Sequence, residues 1–323
     1  MLLFANPTAG TGQRHASLEQ LSVELIHRGL HPQRIEAFDE LTDAATQLQR
    51  TGQLRAIVAA GGDGTAAEIA NRTPPGTPLA IFPMGTANLL AHYLEIAHNP
   101  TQVAQIIADG HYTWLDAGRA NGRVFLLMAG VGFDAEVVRR LHATRSGNIR
   151  GWTYAKPIWH AIRTYRYPEL RVYCARAGTE KAGNVVAGST TLAGNDNALS
   201  SSGSVQWEGP LVCRWAFVFN VSRYAAGLNF APTASGSDGQ LDLCTFQRGG
   251  LLSGLKYLFA ILRGRHSEIP DCTSRRGVQF RIESDAEVLY ELDGDPGGAL
   301  PLTIDTIPRR LCLLVPARWP SID

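Results

Sequence analysis

The chain has 323 residues, 45% of them hydrophobic and 18% charged, with a formal net charge of +1. This length favours two domains, this composition fills real cores and excludes a disordered chain, and the near-neutral balance excludes the global basic field of a nucleic-acid-binding protein. The five cysteines (Cys174, Cys213, Cys244, Cys272, Cys312) lack Cys-x-x-Cys spacing, which argues against a structural zinc site or a disulfide framework and fits a reducing compartment.

The first residues, Met1 to Pro7, carry no charge and are too short for a signal peptide, and no apolar run approaches transmembrane length. A cytoplasmic location is therefore expected. Residues 2–5 read as a strand. Asn6-Pro-Thr-Ala-Gly-Thr-Gly12 follows as a glycine-rich turn, and 16–28 as an amphipathic helix with Leu18, Leu21, Leu25 and Ile26 on one side. Arg14 lies just past that turn, where it either reaches a phosphate or is solvated. Residues 34–38 read as a second strand, and 42–50 as a helix that Thr42 would cap.

The stretch from Arg55 to Thr65 organises the rest. Ala56 to Ala60 is a buried-strand run, Gly61-Gly62-Asp63-Gly64 a turn, and Thr65 stands where an N-cap belongs, ahead of Ala66 and Ala67. A strand turning through glycines into a helix start makes an anion site, because backbone N–H groups converge there and the helix dipole adds positive charge. It is not a Walker A loop: the Gly-Lys-Ser/Thr ending is absent, and no lysine precedes Lys156. Gly62 to Ala67 fits a Gly-x-Gly-x-x-Ala dinucleotide fingerprint, but nothing acidic lies between Glu68 and Glu95 to bind a ribose. A plain turn, and a nucleoside triphosphate site in which Asp63 serves Mg²⁺, both stay open. The pattern then repeats: strand 79–82, loop Pro83-Met-Gly85-Thr86-Ala-Asn88, helix 89–95. Strand–loop–helix alternation signals a parallel α/β sheet, whose ligands bind beyond the carboxyl ends of the strands, so the two loops should face one ligand.

After Gly110 strand-like segments dominate: 112–117, 123–128, 170–175, 211–220, 241–246, 277–282, 288–292 and 311–315. Glycine, serine and asparagine turns separate them, which reads as a largely antiparallel sandwich. A helical insertion at 150–166 and a helix at 251–263 interrupt it, and 187–209 reads as a loop.

Three further stretches complete a pattern: Ala129-Gly-Val-Gly-Phe-Asp134-Ala135, Ser235-Gly-Ser-Asp238-Gly-Gln240-Leu-Asp242, and Leu292-Asp293-Gly-Asp295. With Asn6-Pro7 and the two glycine loops, in this order and spacing, nearly the whole chain resembles the bacterial diacylglycerol kinase-like lipid kinases, relatives of the sphingosine and ceramide kinases. Gly-Gly-Asp-Gly-Thr alone is shared with NAD kinases; the joint occurrence is much more specific. The resemblance implies a phosphofructokinase-like, three-layer α/β domain over residues 1–116 with a returning strand in 305–323. It implies a NAD kinase/diacylglycerol kinase-like β-sandwich over 117–304, and an active site in the cleft between them.

By the same resemblance Asn6, Gly61, Gly62, Asp63, Gly64, Thr65, Ala66, Ala67, Gly85, Thr86 and Asn88 would form the ATP site. Asp134 would help hold the catalytic Mg²⁺. Asp293 would be the general base on a lipid hydroxyl, with Asp295 beside it, and Ser235 and Gln240 (through carbonyls) and Asp238 would match a second, structural Mg²⁺ site. From the residues alone, Asp293-Gly294 and Asp238-Gly239 are equally turn dipeptides, and Asp134 equally a helix cap. The chain departs from the family where Leu89 replaces an acid often found after Gly-Thr-Ala-Asn, and in a blurred Phe38 to Ala44 segment. The expected partners are a lipid substrate and transient peripheral membrane contact at the inner face of the membrane, with no nucleic acid; a homodimer is left open. Leu251, Leu252, Leu255, Leu258, Phe259 and Leu262 share one helical face near Lys256, Arg263 and Arg265, which suits either packing on the sandwich or a membrane surface.

Overall fold

The computed structural model describes residues 1–5, 12–143, 155–176, 206–224 and 228–320. Asn6 with its glycine turn, the side chain of Arg14, and most of the 187–209 segment lie outside the described residues.

The N-terminal half alternates as its pattern requires: β1 (Leu2–Ala5), α1 (Gly12–His27), β2 (Gln33–Ile35), α2 (Phe38–Arg50), β3 (Ile57–Gly61), α3 (Asp63–Arg72), β4 (Pro78–Pro83), α4 (Leu89–Tyr93) and α5 (Pro100–Asp109). The strands pair in parallel in the order β2-β1-β3-β4. β1 and β3 are buried along their whole length, as continuous apolar runs covered on both faces must be. The α2 helix starts four residues before the expected Thr42 cap. Phe38 stacks on Phe4 with ring centroids 4.3 Å apart, and Asp39 and Glu40 favour the first turn. Thr42 is thus helical, and its hydroxyl donates to the Phe38 carbonyl.

The second half runs β5 (Tyr112–Ala120), β6 (Arg123–Phe125), β7 (Met128–Val131), α6 (Phe133–Ala143), α7 (Ala155–Thr164), β8 (Leu170–Arg176), β9 (Gln206–Cys213), β10 (Trp215–Phe219), β11 (Arg223–Tyr224), β12 (Leu228–Asn229), β13 (Leu241–Phe246), α8 (Leu251–Leu262), β14 (Cys272–Gly277), β15 (Gln279–Glu283), β16 (Leu289–Leu292), β17 (Asp295–Ala299) and β18 (Leu302–Leu314). Six strands form an antiparallel sheet in the order β14-β13-β10-β7-β16-β17. Facing it, β18-β15-β8-β9 continue the sheet of the first half, and Val131, Leu170, Val172, Phe280 and Ile304 lie in the core cluster of this sandwich.

Three expected strands are each split. The 123–128 run ends β6 at Phe125 and opens β7 at Met128, the 211–220 run breaks at Arg214 and 277–282 breaks at Val278; at each point the chain leaves one sheet for the other. Strand-like patterns lie on both sides of each crossing, so periodicity alone hides them.

The halves are joined by strands rather than a linker. β18 pairs antiparallel with β5 along most of its length, and at Cys312 and Leu313 it also pairs in parallel with β4. The turn at Asp293–Asp295 of the sandwich comes to lie beside Gly64, just past the end of β3.

Candidate active site

The two glycine loops meet. Gly62 and Gly85 approach so closely that a Cβ at Gly85 would lie 2.5 Å from the Gly62 Cα, so only glycine fits there. Asn88 holds the second loop: its side chain accepts from the Gly85 N–H at 2.8 Å and donates to the Gly85 carbonyl at 2.9 Å, from a left-handed backbone. Thr86 is exposed at the loop tip.

Asp63 locks the loops together. Its carboxylate accepts the N–H of Leu89 at 2.9 Å and of Leu90 at 3.0 Å, one on each oxygen. Burial pushes its pKa up, while those donors and His92 oppose the shift. Each oxygen thus spends one lone pair on a protein donor, so Asp63 acts first as a clamp between the loops. The N-cap of α3 is Gly62 rather than the expected Thr65, whose side chain is buried. The Ala66 N–H closes onto the Gly62 carbonyl, and Ala66 and Ala67 point into the core. Their expected ATP contact therefore reduces to shaping the helix start. The surface offered to a ligand is Gly62, Gly64 and the Gly85–Thr86 edge.

From the other half, the turn between β16 and β17 reaches this edge. A methyl group at Gly64 would lie 3.0 Å from Asp295 Oδ2. Asp295 is 38% exposed at its side chain, and His142 Nε2 of α6 stands 3.4 Å from its Oδ1 and 3.2 Å from the Gly294 carbonyl. Asp293 is used differently. Its Oδ1 accepts from Leu127 and Met128, at 2.8 and 3.0 Å, and its Oδ2 from Leu126 at 2.7 Å, with φ at 53°. Burial pushes its pKa up to about 6 against those three donors, and the Asp63 charge nearby adds to the rise.

Sequence reasoning missed Glu291, which is 1% exposed. Its Oε2 accepts the Gly294 N–H at 2.7 Å. Its other oxygen and Asp134 Oδ2 converge over Gly130, where a Cβ would clash with both. Burial and the neighbouring Asp134 carboxyl push the Glu291 pKa well above the usual carboxylate range. A glutamate two residues before Asp-Gly-Asp in an apolar strand was the available signal.

The diacylglycerol kinase catalytic domain family matches residues 1–120, and the YegS C-terminal NAD kinase beta sandwich-like domain family matches 203–315. The chain belongs to the bacterial diacylglycerol kinase-like lipid kinase family. Diacylglycerol kinases of Staphylococcus aureus strains MRSA252 and bovine RF122 / ET3-1 are each 23% identical over 320 residues, spanning 97% of this chain and 91% of theirs. A crystal structure from Bacillus anthracis str. Sterne superposes with a TM-score of 0.69 at 22% identity, covering 99% of this chain and 97% of that one. A further crystal structure, of a diacylglycerol kinase from the same strain, gives 0.62 at 19% identity, covering 99% and 97%.

At Leu89, where the chain departs from the family's pattern, the contact with Asp63 comes from the backbone N–H and does not depend on the side chain. The second, structural cation site does not fit. Asp238 accepts from the Gln240 N–H at 3.0 Å and is ion-paired with Arg276, and the Ser235 carbonyl accepts from Ser237 and Asp238. Beside it Asp116, 3% exposed, accepts from Gly239 at 2.7 Å and Arg309 at 2.8 Å. These oxygens already face N–H donors and a guanidinium. Among the described residues no group of three or more His, Cys, Asp or Glu is placed to hold a metal ion. The Asp134–Glu291 pair would offer carboxylate oxygens to a hard divalent cation only once deprotonated, a state that a bound cation itself favours.

Proposed function

We propose that the protein transfers the γ-phosphate of ATP to a hydroxyl of diacylglycerol or a related lipid, in the cleft between its halves. The observation that carries this reading is Asp295, a part-exposed carboxylate from the sandwich, held at the glycine turn that opens α3. A phosphate seated on the Gly62–Gly64 and Gly85–Thr86 backbone would present its γ-group to the space beside Asp295. A lipid hydroxyl there would lose its proton to Asp295 as its oxygen bonds to the γ-phosphorus and the bond to the β-phosphate bridging oxygen breaks.

We assign the base to Asp295 rather than Asp293, because three backbone N–H groups already occupy the Asp293 carboxylate. Asp293 shapes the turn that aims Asp295. A bound Mg²⁺, held by Asp134 and Glu291, would neutralise charge on the phosphates. The relatives named diacylglycerol kinase support the acceptor class.

The test is transfer from labelled ATP, with Mg²⁺, to diacylglycerol, monoacylglycerol, sphingosine, ceramide and phosphatidylglycerol in mixed micelles. A labelled lipid supports the reading and names the acceptor. A blank panel from protein that binds ATP overturns it in favour of a soluble acceptor or a nucleotide-binding regulator.

A further inference from the structure

α8 is apolar on two opposite faces. Gly254, Tyr257 and Ile261 are buried against the sandwich, with Gly254 against Ile162 and Trp215, and Tyr257 stacked on Phe246. A helix that merely packed there would be polar outside. Instead Leu252 is 82% exposed, Leu262 67%, Phe259 55%, and Leu251 and Leu255 are also exposed. Exposed apolar side chains are ordinary singly, but five on one short helix form a patch that marks an interaction site.

The charge around this patch has one sign. Residues 251–262 contain no acid. Arg248, Lys256, Arg263 and Arg265 are all exposed on or beside the helix. The nearby acids are Asp271, paired with Arg248 and Lys256, and Glu268, paired with Arg265. Four cations against two acids make a local excess on a chain whose net charge is only +1. A groove of about 320 Å³ runs along the C-terminal half of α8, where Lys256, Arg263 and Arg265 outnumber the one acid, Glu268, beside Phe259 and Ile269. The Arg263 guanidinium lies over the Phe259 ring, 4.0 Å from its centroid.

We infer that this face of α8 is a docking surface for a bilayer containing anionic phospholipid. Apolar side chains that enter the acyl boundary, ringed by cations that meet phosphates, are the chemistry of an interfacial helix. The patch also connects to the site. α8 packs on α7, α7 on α6, and α6 carries Asp134 and His142, while α7 exposes Trp159 beneath Arg163. As a docking site for a lipid kinase, this inference rests on the proposed function.

The experiment compares the full chain with the Leu252→Glu/Leu262→Glu and Arg263→Glu/Arg265→Glu variants. All four positions are exposed, and retained circular dichroism and unfolding midpoints will show that folding is unaffected. Wild type should co-sediment with phosphatidylcholine vesicles holding 30% phosphatidylglycerol on the order of ten-fold better than with pure phosphatidylcholine, a preference that falls with salt. Each variant should lose on the order of ten-fold in binding. Undiminished binding by both variants overturns the proposal, as does a concentration-dependent dimer that the leucine variant abolishes, since a second copy would then cover the face. Transfer to dihexanoylglycerol below its aggregation concentration separates the two readings. Variants that keep this transfer but lose transfer on vesicles support the surface. Failure of wild type to label either lipid refutes the lipid kinase reading and leaves vesicle binding to decide the surface.

Discussion

Asp63 accepts the backbone N–H groups of Leu89 and Leu90, so a carboxylate in one glycine loop serves as the cap of the helix that follows the other. The tie fixes the distance between the ends of β3 and β4, where Gly62 touches Gly85. Asp63→Ala should leave two N–H groups unpaired and cost about 1–3 kcal/mol of stability. It should also raise the KM for nucleotide, because the loop edges are no longer held in register. Asp63→Asn keeps one acceptor and should lie between. Urea unfolding and nucleotide titration of the three proteins check this; an unchanged Asp63→Ala midpoint would refute the clamp.

Asp293 and Asp295 should fail in different ways. Asp295→Asn removes a proton acceptor that few protein groups contact, so kcat should fall about 10²–10⁴-fold with the unfolding midpoint nearly unchanged. Asp293→Asn turns an NH₂ toward backbone N–H donors, so stability should fall by about 1–3 kcal/mol. Equal losses of kcat with no loss of stability in Asp293→Asn would return the base to Asp293.

Asp293 also carries a pH signature. Its pKa rises to about 6 on folding from an ordinary value near 3.8, so the native state binds its proton more tightly than the unfolded chain. Its stability contribution is therefore greatest below about pH 4 and declines as pH rises through about 6, by at most about 3 kcal/mol. Asp293→Asn should lack that decline. Urea midpoints between pH 4 and pH 7 for wild type and variant measure the difference, and parallel curves would contradict it.

Local pattern made the strand–glycine–helix units legible, because Ala56 to Ala60 and 79–82 are apolar runs and neither Gly61 nor Gly85 leaves room for a Cβ. What each aspartate does was not legible. Asp63, Asp238 and Asp293 accept N–H groups brought by residues elsewhere in the chain, or by local turns, and a motif cannot show which lone pairs are taken. Glu291 and Asp116 sit inside apolar strands, where their neighbours Asp134 and Gly239 are distant in sequence. The sheet crossings between Phe125 and Met128, at Arg214 and at Val278 were hidden for the complementary reason: strand-like pattern lies on both sides while the partner sheet changes.

Arg310 illustrates a role that only tertiary structure creates. From β18 its guanidinium reaches under the C-terminal end of α3 and donates to the carbonyls of Ala70, Thr73 and Pro74. It is 6% exposed, and burial lowers its pKa, yet the helix dipole and three carbonyls favour the cation there. Arg310→Met should lose about 2–4 kcal/mol by orphaning those carbonyls, and Arg310→Lys should recover only part because a single ammonium cannot span all three. Differential unfolding measures both; a neutral Arg310→Met would show that water satisfies the helix end.

His266 supplies an acid-side dependence that can be read apart from the cleft. It is 3% exposed, its Nε2–H donates to the Phe230 carbonyl at 2.7 Å, and burial lowers its pKa below the ordinary 6.5. The folded protein thus keeps this ring neutral while the unfolded chain protonates it. Its contribution to stability is fully present above about pH 6.5 and is lost as pH falls toward the depressed folded value, with a slope of up to about 1.4 kcal/mol per pH unit. His266→Gln offers the same carbonyl an uncharged donor, so its unfolding free energy should fall less steeply between pH 6.5 and pH 5 than that of wild type. Identical slopes would mean that His266 titrates alike in both states, and the buried neutral ring would have to be abandoned.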